Sequence, residues 1–225
     1  MKAPEKDQDA LSTESSANAA RHPRTREIAP RRAGPREIGL RRIVLTGFMG
    51  SGKSTAGPLV AQRLSWNFVD VDDVIAAEAG CTIPEIFERE GETEFRRRER
   101  ETIARFVSGT QLVSGARVAS SDAPVLAGAK GLVLALGGGA IEDAATRVLL
   151  LGNPETLVVH LEVELATTLA RCRGTEDLRP VLADEANLAS RYERRLPLYR
   201  MAHVSLNVDA LTPDEVAEAI VRLAN

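Results

Sequence analysis

The sequence has little cysteine, few aromatic residues and no long apolar run. Cys81 and Cys172 are its only cysteines, far apart and outside any C-x-x-C pair, so a disulfide framework or a zinc site has little support. No apolar run approaches the roughly 18 residues that cross a bilayer, and the N-terminus lacks the apolar centre of a secretory signal. We therefore expect a cytoplasmic protein without a membrane partner.

Charge is distributed unevenly along the chain. Residues 1–42 carry ten Lys/Arg against six Asp/Glu, whereas the remainder carries 19 against 26. Residues 1–38 are polar and show neither a helical nor a strand period, which predicts a disordered basic extension. Its arginines could instead contact RNA or an acidic partner, but no aromatic residue lies among them for base stacking, and we expect no nucleic-acid partner.

From residue 39 to residue 225, short apolar runs alternate with helical patterns, as in one α/β domain with helices on both faces of a parallel sheet. The predicted strands are 43–45, 68–69, 132–136, 157–161 and 204–208. Two segments interrupt this alternation. Residues 108–130 are interpreted as an inserted loop, and residues 174–187 either as a mobile lid over a nucleotide or as a plain connecting loop.

The run GFMGSGKS at 47–54, followed by Thr55, matches the phosphate-binding pattern G-x-x-x-x-G-K-[ST] at every fixed position. In this pattern, glycines let backbone N–H groups close around phosphate oxygens, Lys53 reaches the β/γ-phosphates and the Ser54 hydroxyl can ligate Mg²⁺. The helix that follows directs its positive end at the same anion. A nucleotide site is predicted here, with a glycine-rich turn before an ordinary helix as the alternative.

Asp70 and Asp72 follow the second predicted strand. In an extended chain, residues two apart project to the same side, and ligands of parallel sheets bind beyond the carboxyl ends of the strands. One carboxylate could hold the water shell of Mg²⁺, and the other could accept a proton or hydrogen bond from a hydroxyl. Alternatively, the aspartates only cap a helix that begins near Val74.

Two arginines are candidates for holding an anionic substrate. Arg96 lies three residues before Glu99 on a helix expected to open at residues 91–92, and Glu99 could fix its guanidinium for a bidentate grip on a carboxylate. Arg195 ends a later helical stretch as the second candidate. For both, a solvated charged face is the alternative. The glycine triplet 137–139 lets a ligand approach the backbone closely or forms a bare turn.

Taken in order, these segments closely resemble the shikimate kinase family over roughly residues 41–222: GFMGSGKST, FVDVDDVI, PEIF with GETEFRR, LALGGGA, LRPVL and RRLPLYR. The resemblance implies a three-layer α/β P-loop kinase fold, with five parallel strands in the order 2-3-1-4-5 and a mobile lid. It implies transfer of the γ-phosphoryl group of ATP to the 3-hydroxyl of shikimate, with one Mg²⁺ per subunit. We expect a monomer.

The resemblance also implies roles for individual residues. ATP would be bound by Gly50, Ser51, Gly52, Lys53, Ser54, Thr55, Arg173 and Arg179. Shikimate would be bound by Asp72, Phe95, Arg96, Gly138, Gly139 and Arg195, and Mg²⁺ by Ser54 and Asp70. The implied catalytic residues are Lys53, which neutralises the transferring phosphate, Asp72, the candidate base, and Arg179, which stabilises charge from the lid. On the adenine side, Arg171 and Arg173 both lie near the expected place, and Arg173 is favoured.

Other functions are left open by the sequence. Another small-metabolite kinase of the same fold, such as a gluconate kinase, would share the phosphate-binding loop but not the grips of Phe95-Arg96 and Arg195. A regulatory nucleotide-binding protein descended from such an enzyme would have lost Lys53, Asp72 or Arg179, and all three are present. An RNA-binding role led by the basic extension is a third alternative.

Overall fold

The computed structural model describes residues 25–27, 39–109, 129–172 and 185–224. The strands are β1 (Thr25–Glu27), β2 (Arg42–Thr46), β3 (Asn67–Asp70), β4 (Leu132–Ala135), β5 (Thr156–Glu162) and β6 (Val204–Asn207). The helices are α1 (Lys53–Leu64), α2 (Val71–Ala79), α3 (Ile83–Val107), α4 (Ala144–Gly152), α5 (Leu165–Cys172), α6 (Glu185–Tyr199) and α7 (Pro213–Ala224), with a 3-10 turn at Ala140–Glu142. Within these ranges, no helix is long and apolar enough to cross a membrane.

The strands form one sheet in the order β1-β6-β5-β2-β4-β3. Strands β2 to β6 are parallel, and β2 lies at their centre between β4 and β5. Numbered among themselves, these five strands follow the order 2-3-1-4-5, which confirms the fold expected from the resemblance. The carboxyl ends of all five therefore meet at one edge of the sheet, where ligands of such sheets bind.

Side chains of β2 alternate between two apolar clusters, one on each face of the sheet. Ile43 and Leu45 pack in the cluster that includes Val60 of α1 and Ile220 of α7. Val44 packs in the other cluster, with core residues of α2 and α3. Because both faces of β2 are covered, its apolar residues are fully buried and hold the start of the phosphate-binding loop rigidly in the core.

Both helix starts that carry a Thr and a Glu three residues later are capping boxes. The Thr82 hydroxyl accepts from the Glu85 backbone N–H, and the Glu85 carboxylate accepts from the Thr82 N–H at 2.8 Å. Thr212 and Glu215 make the same pair of contacts before α7. Each box satisfies backbone donors that the first turn of the helix leaves unpaired.

One strand lies where the sequence predicted a disordered extension. β1 pairs antiparallel with β6, so Thr25 is opposite Leu206 and Glu27 is opposite Val204. The prediction is therefore wrong for residues 25–27, and the rest of 1–38 lies outside the described residues. The physical reason is that β6 would otherwise be an edge strand, and its backbone N–H and C=O groups can pair with any extended segment, whatever the period of its side chains.

Two other predicted segments are mostly outside the described residues. The structure includes only residues 108–109 and 129–130 of the predicted insertion. Of the predicted lid at 174–187, it includes only residues 185–187, which belong to α6. The insertion and the lid therefore stay predictions, with the lid bounded by α5 and α6.

Candidate active site

The phosphate-binding loop joins the end of β2 to the start of α1. Gly47, Gly50 and Gly52 all have positive φ angles, of 148°, 70° and 91°. At Gly47 a β-carbon would lie 2.6 Å from the Leu161 carbonyl oxygen, so a side chain is excluded by space as well as by conformation. The loop is thus a tight turn of backbone around the site where phosphate is predicted.

The N-terminal end of α1 has features that favour the binding of an anion. Its N-cap, Gly52, supplies no side-chain hydrogen bond, and its first turn contains no acidic residue. The Lys53 ammonium lies across the loop and donates to the Gly47 carbonyl at 2.8 Å and to the Phe48 carbonyl at 3.0 Å. The positive helix end and the ammonium therefore reinforce each other, which favours phosphate at this place.

Ser54 and Asp70 meet beside this loop. The Ser54 hydroxyl donates to Asp70 Oδ2 at 2.7 Å. Burial raises the pKa of Asp70 above its ordinary value, although the hydrogen bond from Ser54 opposes that shift. A hydroxyl and a carboxylate are hard oxygen ligands of the kind that Mg²⁺ prefers.

The donor set around this pair also fits Mg²⁺. In the part of the chain that the structure describes, no group of three or more His, Cys, Asp or Glu side chains could hold a metal ion. Mg²⁺ does not require such a cage, because it is usually bound by one or two protein oxygens together with water and substrate phosphates. Ser54 and Asp70 are therefore compatible with the predicted Mg²⁺ site.

Asp70 caps a helix, which confirms the capping interpretation for this residue, while the roles of the aspartate pair in chemistry stay predictions. The strand ends at Asp70 and α2 begins at Val71, where the sequence suggested a helix from near Val74. Asp70 Oδ1 accepts from the Asp72 backbone N–H at 3.1 Å. Asp72 consequently lies in the first helical turn, and the expectation that strand alternation aligns the two carboxylates is wrong.

The Asp72 carboxylate, the predicted proton acceptor, is buried and has a raised pKa. Its Oδ1 is buried and has no hydrogen-bond partner among the described residues. Burial raises the pKa of Asp72 from 3.8 to about 7, and the negative charges of Asp70 and Glu99 add to the shift. A carboxyl group that titrates near neutral pH is suited to accept a proton from a hydroxyl.

Arg96 and Glu99 form the predicted pair on α3. Arg96 Nη1 donates to Glu99 Oε2 at 2.7 Å, and Glu99 is only 2% exposed. Non-helical backbone at Gly91 divides α3, which agrees with the predicted helix opening at 91–92. Phe95 is buried, and its ring lies under the Arg96 guanidinium at 5.1 Å. The guanidinium is therefore fixed by an ion pair at its end and by an aromatic face below it.

Arg195 forms an ion pair with Glu142, a residue that the sequence analysis did not identify. Its Nη2 donates to Glu142 Oε2 at 2.9 Å, while Arg194 donates to the other carboxylate oxygen at 3.0 Å. Burial alone would raise the pKa of Glu142, but the hydrogen bonds and charges of Arg195 and Arg194 lower it overall. No local pattern indicates this contact, because Glu142 ends a 3-10 turn and Arg195 lies on a distant helix.

The glycine triplet brings the predicted acceptor residues together. A β-carbon at Gly137 would lie 2.6 Å from Asp72 Oδ1, and one at Gly139 would lie 2.6 Å from Cζ of Arg96. At Gly138 it would lie 3.8 Å from Arg195 Nη1 and also 3.8 Å from the Gly47 carbonyl oxygen. The carboxylate and the two guanidinium groups therefore converge on one stretch of bare backbone, which contacts the phosphate-binding loop.

Two predicted residues, Arg173 and Arg179, lie outside the described residues. Arg171 is described, and its guanidinium donates to the Val208 carbonyl at 2.8 Å and to the Gly50 carbonyl at 3.3 Å. It thus joins the phosphate-binding loop to the loop after β6. The choice between Arg171 and Arg173 for contact with adenine stays a prediction.

Comparison with known proteins places this geometry in a family. The family profile described as "Shikimate kinase" matches residues 49–116 and 124–225. A shikimate kinase of Salinibacter ruber is 35% identical over 190 residues, covering 80% of this chain and 82% of that relative. One of Sulfurihydrogenibium sp. is 34% identical over 183 residues, covering 81% and 96% of the two chains.

A solved structure is similar to this chain in both fold and sequence. The shikimate kinase from Acinetobacter baumannii in complex with shikimate superposes with a TM-score of 0.67 at 34% identity. The match covers 82% of this chain and 92% of that one. Profile, sequence relatives and fold agree over the segments that carry the site, and the chain belongs to the shikimate kinase family.

Proposed function

We propose that this protein transfers the γ-phosphoryl group of ATP to the 3-hydroxyl of shikimate, using the residues gathered around the glycine triplet. One observation carries the assignment of residues. Gly137, Gly138 and Gly139 face Asp72, Arg195 and Arg96 respectively, and Gly138 lies against the carbonyl of Gly47 in the phosphate-binding loop. A hydroxyl acceptor and a phosphoryl donor can therefore be held next to each other.

On the donor side, backbone N–H groups of the loop and the positive end of α1 hold the phosphates of ATP. Lys53 neutralises charge on the group in transfer, for which its ammonium already lies within the loop. Ser54, as a ligand, and Asp70, through water, are the residues proposed to hold Mg²⁺, which would neutralise charge on the phosphates of ATP. Positioning and electrostatics of this kind supply most of the catalysis in phosphoryl transfer.

On the acceptor side, Arg96 and Arg195 hold the carboxylate of shikimate. Glu99 and Glu142 fix the two guanidinium groups, so little side-chain freedom is lost when the substrate binds. Phe95 supports Arg96 from below. Gly138 and Gly139 admit the ring because no side chain stands between it and the backbone.

The reaction is an in-line displacement at phosphorus. The 3-hydroxyl oxygen forms the new bond to the γ-phosphorus, the bond to the β–γ bridging oxygen breaks, and ADP leaves. The hydroxyl proton passes to Asp72, whose Oδ1 is the buried acceptor on this side of the site. Arg179 is proposed to stabilise charge on the phosphoryl group from the lid. The monomeric state and the cytoplasmic location stay predictions.

An ATP-consumption assay tests this function. The purified protein is incubated with Mg²⁺ and ATP, and with shikimate, gluconate or a panel of nucleoside monophosphates as the acceptor. We expect turnover with shikimate and none with the others, because nucleoside monophosphates lack a carboxylate for the two arginines, and the open chain of gluconate does not hold its carboxylate and one hydroxyl at the fixed separation that a ring provides. Turnover with another acceptor and not with shikimate would falsify the proposal.

A further inference from the structure

Tyr199 is a buried residue of α6 that touches the acceptor side of the site. It lies one helical turn after Arg195, so both side chains project from the same face of the helix. Its hydroxyl donates a hydrogen bond to the carbonyl oxygen of Gly138. It is 1% exposed, and a β-carbon at Gly138 would lie 3.7 Å from its oxygen.

The ring of Tyr199 is fixed from behind by His160. The two rings are stacked, with centroids 5.2 Å apart and planes inclined by 17°. His160 lies on β5 opposite Thr46, the last residue before the phosphate-binding loop, and its Nδ1 is 3.1 Å from the Ser205 hydroxyl. The hydroxyl of Tyr199 is thus carried by a ring that packs against the central sheet rather than by a mobile surface side chain.

The hydrogen bond to Gly138 sets the direction of a whole peptide unit. The peptide bond is planar and trans, so the carbonyl of Gly138 and the N–H of Gly139 point in opposite directions. Fixing the direction of the carbonyl therefore also fixes the direction of the N–H, which points to the opposite edge of the same plane. The flanking peptides are held by the bonds from the Ala140 N–H to the Gly137 carbonyl at 3.1 Å and from the Glu142 N–H to the Gly139 carbonyl at 2.9 Å. The central Gly138–Gly139 peptide takes no part in these bonds through its own C=O and N–H, and two glycines without side chains let it flip unless its carbonyl is held.

We propose that Tyr199 is a positioning residue for the acceptor substrate: it holds the Gly138–Gly139 peptide and the neighbouring Arg195 in the arrangement that binds shikimate. Three contacts support this role, namely the bond to the Gly138 carbonyl, the place of Arg195 beside the same glycine, and the stack on His160. Tyr199 acts through these groups and need not touch the reacting atoms. The proposal rests on the shikimate-phosphorylating function.

The test is Tyr199→Phe, which removes one oxygen and retains the ring that packs on His160. Because the Gly138 carbonyl loses its partner, we expect the KM for shikimate to rise about ten-fold. The KM for ATP and kcat should stay close to the wild-type values, since the phosphate-binding loop and Asp72 are unchanged. Calorimetric titration of shikimate without ATP should show the same loss of affinity.

Tyr192→Phe is the matched control. Tyr192 is also on α6, and its hydroxyl donates to a backbone carbonyl, that of Val163, at 2.9 Å. The two variants lose the same kind of bond, so a purely structural role of Tyr199 would lower both melting temperatures alike and leave both shikimate KM values unchanged. That outcome overturns the proposal, as does a parallel rise of the KM for ATP in Tyr199→Phe. The wild-type protein is assayed first with shikimate. If it shows no turnover, the proposed function fails; if it shows turnover, the two variants test the role of Tyr199 alone.

Discussion

Asp72 and Glu99 each direct one carboxylate oxygen at Gly137, where a β-carbon would lie 2.6 Å from the first and 2.7 Å from the second. Neither oxygen has a hydrogen-bond partner among the described residues. Two buried carboxylates in such proximity disfavour each other's ionised form, and Glu99 is one of the charges that raise the pKa of Asp72. Arg96 neutralises Glu99 from the other side. Glu99 therefore both pairs with Arg96 and raises the pKa of Asp72.

The pH dependence of turnover should report Asp72. Its pKa is raised to about 7, mainly by burial, and only the ionised carboxylate can accept a proton. We expect kcat/KM for shikimate to fall with a one-proton slope as the pH drops below 7, because this parameter follows the pKa values of the free enzyme. Glu99→Gln removes a neighbouring negative charge and should move the midpoint to lower pH. A profile that is flat from pH 6 to 8 contradicts the assignment.

Asp72→Asn should lose activity and gain stability. The general base contributes about 10²- to 10⁴-fold, so kcat should fall by at least about 10²-fold. The pKa of Asp72 is raised from 3.8, so at low pH the carboxyl is protonated in both the folded and the unfolded state and costs nothing. Between pH 3.8 and about 7 the carboxyl is ionised in the unfolded chain but still protonated in the folded protein, so folding loses stability across this range, and the loss is complete above about pH 7. Asp72→Asn removes that loss, so its melting temperature should exceed the wild-type value more at pH 8 than at pH 4.

Asp73→Asn is the control for this substitution, because it removes the same formal charge from the next residue of α2. It should retain turnover within a few-fold. Equal loss of kcat in both variants would show that net charge near α2, rather than the Asp72 carboxylate, controls the rate.

Arg96→Ala and Arg97→Ala make a second matched pair. Arg96 lies flat against Gly139 and is partly buried, whereas Arg97 is exposed and pairs with Glu94 and Glu101 on the surface. Loss of a charged hydrogen-bond donor to a carboxylate costs about 2–3 kcal/mol, so Arg96→Ala should raise the KM for shikimate roughly 30- to 150-fold. Arg97→Ala should leave it unchanged and alter the free energy of unfolding by less than about 1 kcal/mol. Similar kinetics for the two variants would remove Arg96 from the site.

Deletion of residues 1–38 separates the extension from the catalytic domain. The site is built from residues after Arg42, so kcat and both KM values should be retained. The deletion also removes β1, and the backbone of β6 becomes an edge that can pair with another chain. Light scattering should therefore show more self-association than for the full chain. A large loss of turnover in the monomeric fraction would give the extension a part in catalysis.

The sequence predicted the parallel sheet, the turn at residues 47–54 and the Arg96–Glu99 pair because each depends on a local pattern. Strand β2 is an apolar run in a central strand, the phosphate-binding loop is a fixed spacing, and the Arg96–Glu99 pair is a helical neighbour relation. The aspartate pair shows the limit of such reasoning. The sequence analysis selected both Asp70 and Asp72, but for a reason that the structure does not support. Asp70 caps a helix that begins at Val71, so the strand alternation that suggested the pair does not extend to Asp72.

Contacts between distant segments left no signal in the sequence. Glu142 holds Arg195 from 53 residues away, and Tyr199 bonds the carbonyl of Gly138 from 61 residues away. Strand β1 depends on the unpaired backbone of β6 and not on its own side chains. In each case the partner is a charge or a backbone group brought near by the fold, so neither spacing nor periodicity can reveal it.

The carboxylate and guanidinium groups around the glycine triplet are proposed to direct phosphoryl transfer to one hydroxyl of shikimate. NMR spectroscopy of the product formed from ATP and shikimate by the full-length protein tests this most directly. We expect a single phosphate ester, with its phosphorus coupled to the proton on carbon 3. A product phosphorylated at another hydroxyl, or no product at all, would contradict it.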